Sequence, residues 1–342
     1  MSTKWKISII LIVLLGILIG GWFYANSYIK KTVAKRLTEE FNVEFASLDA
    51  SLWNRSITVD SVTSFLNNGS LAKAKIDELN WLSLFFNPEI DLDDVCFTIT
   101  NFSTLTKDGL YTITIDSLSK DEGEFYIENF KVSSPFSDSK YHQKIDERTP
   151  KIGLNIPEIY ASGFRSDGNH LYEVVAPNFY LDVDENLNIP LEGIKKLPVE
   201  LINDLPFKVD IETSKLKNGT IKYAVINKGK SQKGTVTFNN VNLSATNINN
   251  TKSEQEMIFE LNCKLGGSPL TAVFRNFLQH PQHKYDFYGK IQNFDLTTLN
   301  DLTQAAQGIK INSGRVNELE MTGSFFDSQG QGEVNIQYVD LN

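Results

Sequence analysis

The chain has few of the residues that usually carry chemistry. It contains two cysteines and four histidines among 342 residues. Cys96 and Cys263 lie far apart in strand-like sequence, with no CxxC pair and no zinc-ligand spacing. They either pair in an oxidising compartment or remain as buried free thiols. We therefore expect no metal site and no cofactor.

Catalytic motifs are missing as well. The sequence has no Gly-x-Ser-x-Gly elbow, no P-loop and no Rossmann glycine fingerprint. His280 and His283 are close together, but Pro281 argues against a helix that presents both rings on one face. The stretch 182–188 resembles the start of a calcium loop, yet Gly193 stands where that loop needs a glutamate, so a hairpin tip is the better interpretation. We expect a protein that is not an enzyme.

No acidic residue precedes residue 37, whereas six cations do. The remaining body carries 27 basic against 42 acidic residues, a formal net charge of −15. Because neutralisation of phosphates by Lys and Arg dominates affinity for nucleic acid, an acidic body is a poor partner for it. We expect no nucleic-acid partner.

The only long apolar run lies at the N-terminus. Residues 7–25 carry no charge, and about 20 apolar residues are enough for a helix to cross a bilayer. Trp22, Phe23 and Tyr24 resemble an aromatic interface belt. We predict a single-pass transmembrane anchor at residues 7–25 after a short tail at residues 1–6. The alternative is a long signal peptide that is cut near Ala25.

Residues 26–41 show helical periodicity after this run. Ile29, Val33, Leu37 and Phe41 recur every four residues, with charged residues between them. We predict a juxtamembrane amphipathic helix that packs on the following sheet or covers one end of it. Cations flank the apolar run on both sides, and large domains translocate despite such charges, so charge alone leaves the topology open.

From residue 43 the hydrophobic period changes from helix to strand. The clearest stretch is 258–265, where four apolar residues alternate with polar ones. Such alternation predicts an all-β body at residues 42–342 with antiparallel sheets, one face apolar and the other wetted. Asn218-Gly219 is among the predicted turns. Only residues 296–307 indicate a helix in this body, with Thr297 or Thr298 as its cap and Gly308 as its end.

A loosely recurring unit favours an elongated array of strands. In this unit a glycine begins a strand, and a predicted turn then leads into Asn-apolar-x-apolar, as after Gly123, Gly234 and Gly289. The apolar face then either fills a sandwich core or lines a curled, open groove that holds acyl chains. The candidate lining residues are Ile113, Ile115, Phe125, Ile127, Ile221, Tyr223, Val236, Phe238, Phe259 and Leu261.

The order of these segments resembles the bacterial AsmA-like envelope proteins, including the subgroup known by a domain-of-unknown-function label. The stretches that carry the resemblance begin at Phe41, Ser56 and Ile76. They continue in the middle at Leu197, Lys217 and Gly234, and near the C-terminal part at Phe294, Ile311 and Gly332. The likeness covers most of the chain, and it consists of turn and apolar patterns rather than catalytic signatures.

The resemblance implies a protein of the inner membrane whose tail at residues 1–6 is cytoplasmic and whose body lies in the periplasm. The AsmA-like family is similar in architecture to bridge-like lipid-transfer proteins, in which a curled antiparallel β-sheet presents an apolar groove. We therefore expect membrane lipids, phospholipid above all, as the ligand, and a role in envelope lipid homeostasis or outer-membrane biogenesis. The alternative is a non-catalytic assembly factor for outer-membrane proteins, with a self-filled β core and envelope proteins as its partners.

Overall fold

The computed structural model describes residues 24–35, 37–39, 43–64, 69–79, 95–165, 170–191, 202, 208–227, 233–250, 255–277, 285–326 and 329–340. Most of these residues are in β-strands. The predicted tail at residues 1–6 and all but the last two residues of the predicted anchor at residues 7–25 lie outside the described part. No helix among the described residues is both long and apolar enough to cross a membrane.

The described residues form seventeen strands in a mixed β-structure, with few helices among them. The all-β prediction is thus confirmed. The strands are β1 (Val43–Glu44), β2 (Ser47–Ser51), β3 (Ser56–Ser64), β4 (Gly69–Asp77), β5 (Cys96–Leu105), β6 (Thr112–Asp121), β7 (Glu124–Ser133), β8 (Lys151–Ser162), β9 (His170–Ala176), β10 (Tyr180–Asn186), β11 (Asp210–Ile226), β12 (Gly234–Asn249), β13 (Glu256–Leu265), β14 (Ser268–Phe277), β15 (Tyr285–Asp295), β16 (Arg315–Phe326) and β17 (Gln329–Val339). The helices with at least four described residues are α1 (residues 24–35 and 37–39), α2 (Asp138–His142), the 3₁₀ helix η1 (Leu296–Leu299) and α3 (Asn300–Gln307).

The chain divides into two compact units. Unit 1 comprises the residues up to Leu105 together with Asp116–Glu122, and unit 2 comprises Thr106–Ile115 and Gly123–Asn342. In unit 1, β2, β3, β4 and β5 pair antiparallel in chain order, and the short β1 also pairs with β3.

Helix α1 packs on the core of unit 1 through one side. Ile29 is buried there with Leu48 and Val59, and Val33 and Leu37 pack against the same cluster. The cations Lys30, Lys31 and Lys35 are exposed on the other positions. The backbone N–H of Leu52 donates to the Asn26 side chain at 3.0 Å, which ties α1 to the sheet. The described residues therefore have the amphipathic pattern that was predicted; Phe41 lies outside them.

Unit 2 departs from the antiparallel prediction at one place. From β11 to β17, consecutive strands pair antiparallel, as do β7 and β8. However, β9 and β10 both pair parallel with β11 and antiparallel with β8. The wholly antiparallel prediction is wrong here, because β9 and β10 run in the same direction as β11. The stretch 182–188 is for the same reason not a hairpin tip. Alternation of side chains reports which faces are buried, not the direction of the neighbouring strand.

Between them, β9 and β10 occupy one strand position between β8 and β11, with a break at residues 177–179. Phe179 in this break is buried with Ile156, Ala176 and Val241. Its ring lies over Gly219 of β11, where an added Cβ would stand 2.0 Å from the ring. Because Gly219 has no side chain, the Phe179 ring can fill the break between β9 and β10.

Helix α3 closes one end of the unit 2 sheet. Leu296, Leu299 and Leu302 pack against a cluster that contains Val236 and Phe294. Asp295 caps η1 by accepting from the backbone N–H of Thr297 at 2.9 Å, so the cap predicted at Thr297 or Thr298 is wrong. Gly308 ends α3 with φ 76°, as predicted.

A group of ion pairs joins α2 to β8, β10 and the residue before β12. Lys151 Nζ lies 2.8 Å from Asp138 Oδ1, and Lys233 bonds both Asp138 and the buried Asp184. The hydrogen bonds from Lys151 and Lys233 lower the pKa of Asp138 to about 2. Desolvation lowers the pKa of His142, which lies on the same short helix. This polar group fastens α2 to unit 2.

We predict that Gly219→Ala destabilises the protein by about 1–3 kcal/mol, the usual cost of overpacking a filled core. The reason is the collision of the new methyl group with the Phe179 ring. The check is the thermal unfolding of the full chain in mild detergent.

Gly289→Ala is the matched control, since a Cβ there meets nothing closer than 4.0 Å. In a Phe179→Ala background the cost of Gly219→Ala should largely disappear, because the two positions share one space. An equal cost in both backgrounds would contradict the packing described for this break.

Candidate apolar binding face

The register of the strands collects apolar side chains on one side of the unit 2 sheet, here called face A. It is the side that carries Phe238 and Leu261. Across β7, β8, β10 and β11, the partnered positions on this side include Phe130 with Ile156 and Leu181 with Ile221. From β11 to β17 the rows continue through the following residues, each opposite the next: Leu216, Leu243, Leu261, Ala272, Gly289, Met321 and Val334.

Left-handed asparagines keep face A apolar along strands that are too long for simple alternation. Asn240 has φ 50° in the middle of β12. Val236 and Phe238 precede it on face A, whereas Val241 and Leu243 follow it on the same face, so the even positions give way to odd ones. The extra residue appears as a register shift between β12 and β13.

The same device recurs in three other strands of unit 2. Asn129 in β7, Asn218 in β11 and Asn293 in β15 have φ between 50° and 53°. Each is followed by a residue on the apolar side, namely Phe130, Gly219 and Phe294. The recurring Asn-apolar unit was interpreted as a turn, and Asn218-Gly219 was predicted to be one. Both interpretations are wrong, because these asparagines lie inside continuous strands.

Face A is only partly covered. Ile221, Tyr223, Phe238, Phe259 and Leu261 are half-buried. Nearer the β17 edge, Phe274 is 49% exposed and Phe325 is 42% exposed. Within the described ranges, the elements that pack over this face are η1 and α3, at one end. The rest of the face is therefore an apolar surface without a second sheet over it in that part of the chain.

Aromatic rings form a ladder on the exposed part of face A. The centroids of Phe274 and Phe287 are 6.3 Å apart, and those of Phe287 and Phe325 are 5.7 Å apart, with stacked geometry. Gly323 makes room for this ladder, since a Cβ there would lie 2.2 Å from the Phe287 ring. Large flat rings of this kind offer much contact area to an apolar ligand at little cost in side-chain entropy.

The opposite side of the sheet, face B, is polar and internally paired. Lys290 Nζ lies 2.9 Å from Glu318 and 2.7 Å from Glu320. Gln292 donates to Glu318 at 2.7 Å. The carboxylates raise the pKa of Lys290 and its proximity lowers that of Glu318, so both stay charged at neutral pH. Face B is thus a polar surface that water hydrates readily, whereas face A is apolar.

The closed end of face A holds a polar contact. The Tyr223 hydroxyl donates to Glu185 at 2.5 Å. Burial raises the pKa of Tyr223, and the hydrogen bond to Glu185 raises it further, so the phenol remains protonated and donates. At Gly234, helix α3 approaches so closely that a Cβ would lie 2.4 Å from the Cβ of Ala305. This end of the face is sealed by packing.

The structure brings eight of the ten predicted lining residues onto face A. These are Phe125, Ile127, Ile221, Tyr223, Val236, Phe238, Phe259 and Leu261. Ile221 is opposite Phe238, and Tyr223 is opposite Val236. Val236 is fully buried beneath the closing helix. Ile113 and Ile115 are half-buried on one side of β6, outside the strands that define face A.

Many further residues of face A were not predicted from the sequence. They alternate like the others, and around Phe130, Ile156 and Leu243 the pattern is interrupted by Pro157 or by an asparagine. The missed positions are Phe130, Leu154, Ile156, Ile159, Leu181, Leu216, Leu243, Leu270, Phe274, Phe287, Ile291 and Leu319.

The two cysteines are free thiols. Cys263 is buried on face A, and burial raises its pKa. Cys96 donates to Asp121 at 3.0 Å, which raises its pKa to about 11. Across the described residues, no group of three or more His, Cys, Asp or Glu side chains is placed to hold a metal ion. His280 and His283 lie outside those residues.

The chain matches no protein-family model, and no curated protein matches it significantly. Its relationship to the AsmA-like proteins therefore stays a prediction from the order of its sequence segments.

We predict that Asn240→Val destabilises the protein by about 1–3 kcal/mol, because a β-branched residue is strained at φ 50°. Asn240→Gly should retain stability, since glycine adopts this conformation freely. The check is the thermal unfolding of both variants in the full chain.

Asn239→Val is the control, because Asn239 is equally exposed and adjacent but does not have a positive φ. If the two valine variants were equally stable, the left-handed residue would not be what maintains face A.

Proposed function

We propose that this chain is a membrane-anchored, periplasmic AsmA-like protein that binds lipid acyl chains on face A. In this proposal face A is the floor of a curled groove, and the protein contributes to envelope lipid homeostasis or outer-membrane biogenesis. The observation that carries the proposal is the sidedness of the unit 2 sheet. One face is apolar and half-exposed, and the other carries paired charges.

The energetics favour an acyl chain as the ligand. Burial of each CH₂ group is worth about 0.8 kcal/mol, so partial shielding of one lipid tail contributes several kcal/mol. Such binding is non-directional and needs no polar motif. The aromatic ladder and the leucine row provide contact area of this kind along several strands. A partly exposed apolar face of this extent is also a marker of an interaction site.

Helix α1 is suited to lie beside a membrane. Ile29, Val33 and Leu37 pack on the core of unit 1, and the lysines of the helix are exposed. Cations near a membrane surface gain about 1 kcal/mol each from anionic headgroups. This arrangement supports a body held close to the bilayer by the predicted anchor at residues 7–25.

The alternative function is that of an assembly factor with a self-filled β core. It requires a second apolar layer over face A. In the described part of unit 2 that layer consists of η1 and α3 alone, which pack over one end. We therefore favour lipid binding as the proposed function.

Mass spectrometry of lipids that co-purify with the full chain in mild detergent tests the proposal. The informative variant is Phe274→Asp, which puts a charge on face A at a position that is already 49% exposed. Phe238 and Leu261 pack within the apolar cluster, so their replacement by Asp endangers the fold itself. We expect Phe274→Asp to lower bound phospholipid at least twofold, because a carboxylate in contact with a lipid tail is costly to desolvate.

Thr271→Asp is the control, since Thr271 lies three residues away on the same strand but on face B. The Thr271→Asp variant should retain the wild-type amount of phospholipid. Lipid that only surrounds the anchor should be the same in both variants. A folded wild-type chain without phospholipid, or equal lipid on the two variants, would overturn the proposal.

A further inference from the structure

The last strand of unit 2 has an open edge. All residues of β17 (Gln329–Val339) are exposed, and among the described residues its only strand partner is β16. Three apolar side chains stand on its face A: Val334 at 60% exposure, Ile336 at 46% and Tyr338 at 53%.

This edge lacks the features that usually prevent strands from pairing with other chains. Natural edge strands are protected by lysines, prolines or short length. The β17 sequence is QGQGEVNIQYV, which contains neither lysine nor proline and has Glu333 as its one charge. An edge of this length and composition is a ready template for a further strand.

The sequence of β17 is complementary to itself when two copies run antiparallel. With Val334 opposite its own symmetry mate, all positions from Gln329 to Val339 have partners. Ile336 then lies opposite Gly332, and Tyr338 lies opposite Gly330, so large side chains meet positions without one. On face B, Glu333 meets Asn335 rather than a second carboxylate.

The aromatic ladder explains why Gly330 suits the Tyr338 of another copy. The Phe325 ring already leans over Gly330, where a Cβ would lie 2.7 Å from it. A Tyr338 ring opposite Gly330 would extend the row formed by Phe274, Phe287 and Phe325. The apolar ladder would therefore continue from one copy into the next.

We infer that two copies of this chain associate through antiparallel pairing of their β17 strands, centred on Val334. The two-fold axis is perpendicular to the sheet, because partnered residues of antiparallel strands share one face. Face A of one copy is then continuous with face A of its partner. The inference does not rest on lipid binding, since it follows from the edge and its register.

Disulfide trapping in the full chain tests the pairing. Val334→Cys, in a Cys96→Ser and Cys263→Ala background, places two thiols directly opposite each other across the axis, about 4.5–5.5 Å apart at Cβ. Oxidation in mild detergent should convert most of the chain to a covalent dimer. Tyr338→Cys is the control on the same face with similar exposure. It lies eight positions from its own mate, about 27 Å away, and should stay monomeric under oxidation.

Light scattering gives a second readout. Val334→Lys places two like charges opposite each other and should weaken the dimer at least tenfold, whereas Phe274→Asp should leave it unchanged. A wild-type chain that is monomeric at tens of micromolar would overturn the inference. So would equal trapping of the Val334→Cys and Tyr338→Cys variants, or a Val334→Lys dimer as tight as that of the wild type.

Discussion

The backbone conformation of a few asparagines determines what the rest of unit 2 can do. A strand that alternates strictly would need an apolar residue at every second position along its whole length. In β7, β11, β12 and β15, a left-handed asparagine instead shifts the alternation by one residue, and the apolar residues on both sides of it stay on face A. Asparagine tolerates this conformation better than most residues with a side chain. In unit 1, Ser61 has the same role, since Ile57, Val59 and Val62 pack together around it.

The separation of the two faces follows from this phasing. Face B satisfies its charges with one another, as in the group of Lys290, Glu318 and Glu320. Along most of its described length face A carries apolar side chains, and its closed end is covered by Leu296, Leu299 and Leu302. Such a sheet needs an apolar occupant over its open part. In the proposed function that occupant is a lipid tail, and in the proposed dimer the surface available to it doubles.

Local patterns predicted the strands well and their connections poorly. The alternation of residues 258–265 identified β13 and its apolar face, and Gly308 identified the end of α3. The parallel pairing of β9 and β10 with β11 joins segments that are far apart in the sequence, for example His170 with Asp210, and no local pattern reports such a pairing. Asn218-Gly219 has the composition of a turn, yet both residues lie within β11. Gly219 is there the position over which the Phe179 ring packs. For the candidate site, uninterrupted alternation identified Phe238 and Leu261, whereas Phe130 and Ile156 were hidden by Asn129 and Pro157.

Lipid binding on face A is tested most directly by determining which face of the sheet contacts lipid in living cells. A photo-crosslinking benzoylphenylalanine can replace Phe274 on face A or Tyr160 on face B. The two side chains are both aromatic and similarly exposed, at 49% and 45%. Lipid binding on face A predicts phospholipid adducts by mass spectrometry at position 274 and none above background at position 160. Equal labelling at both positions, or none at 274 in a folded chain, would contradict it.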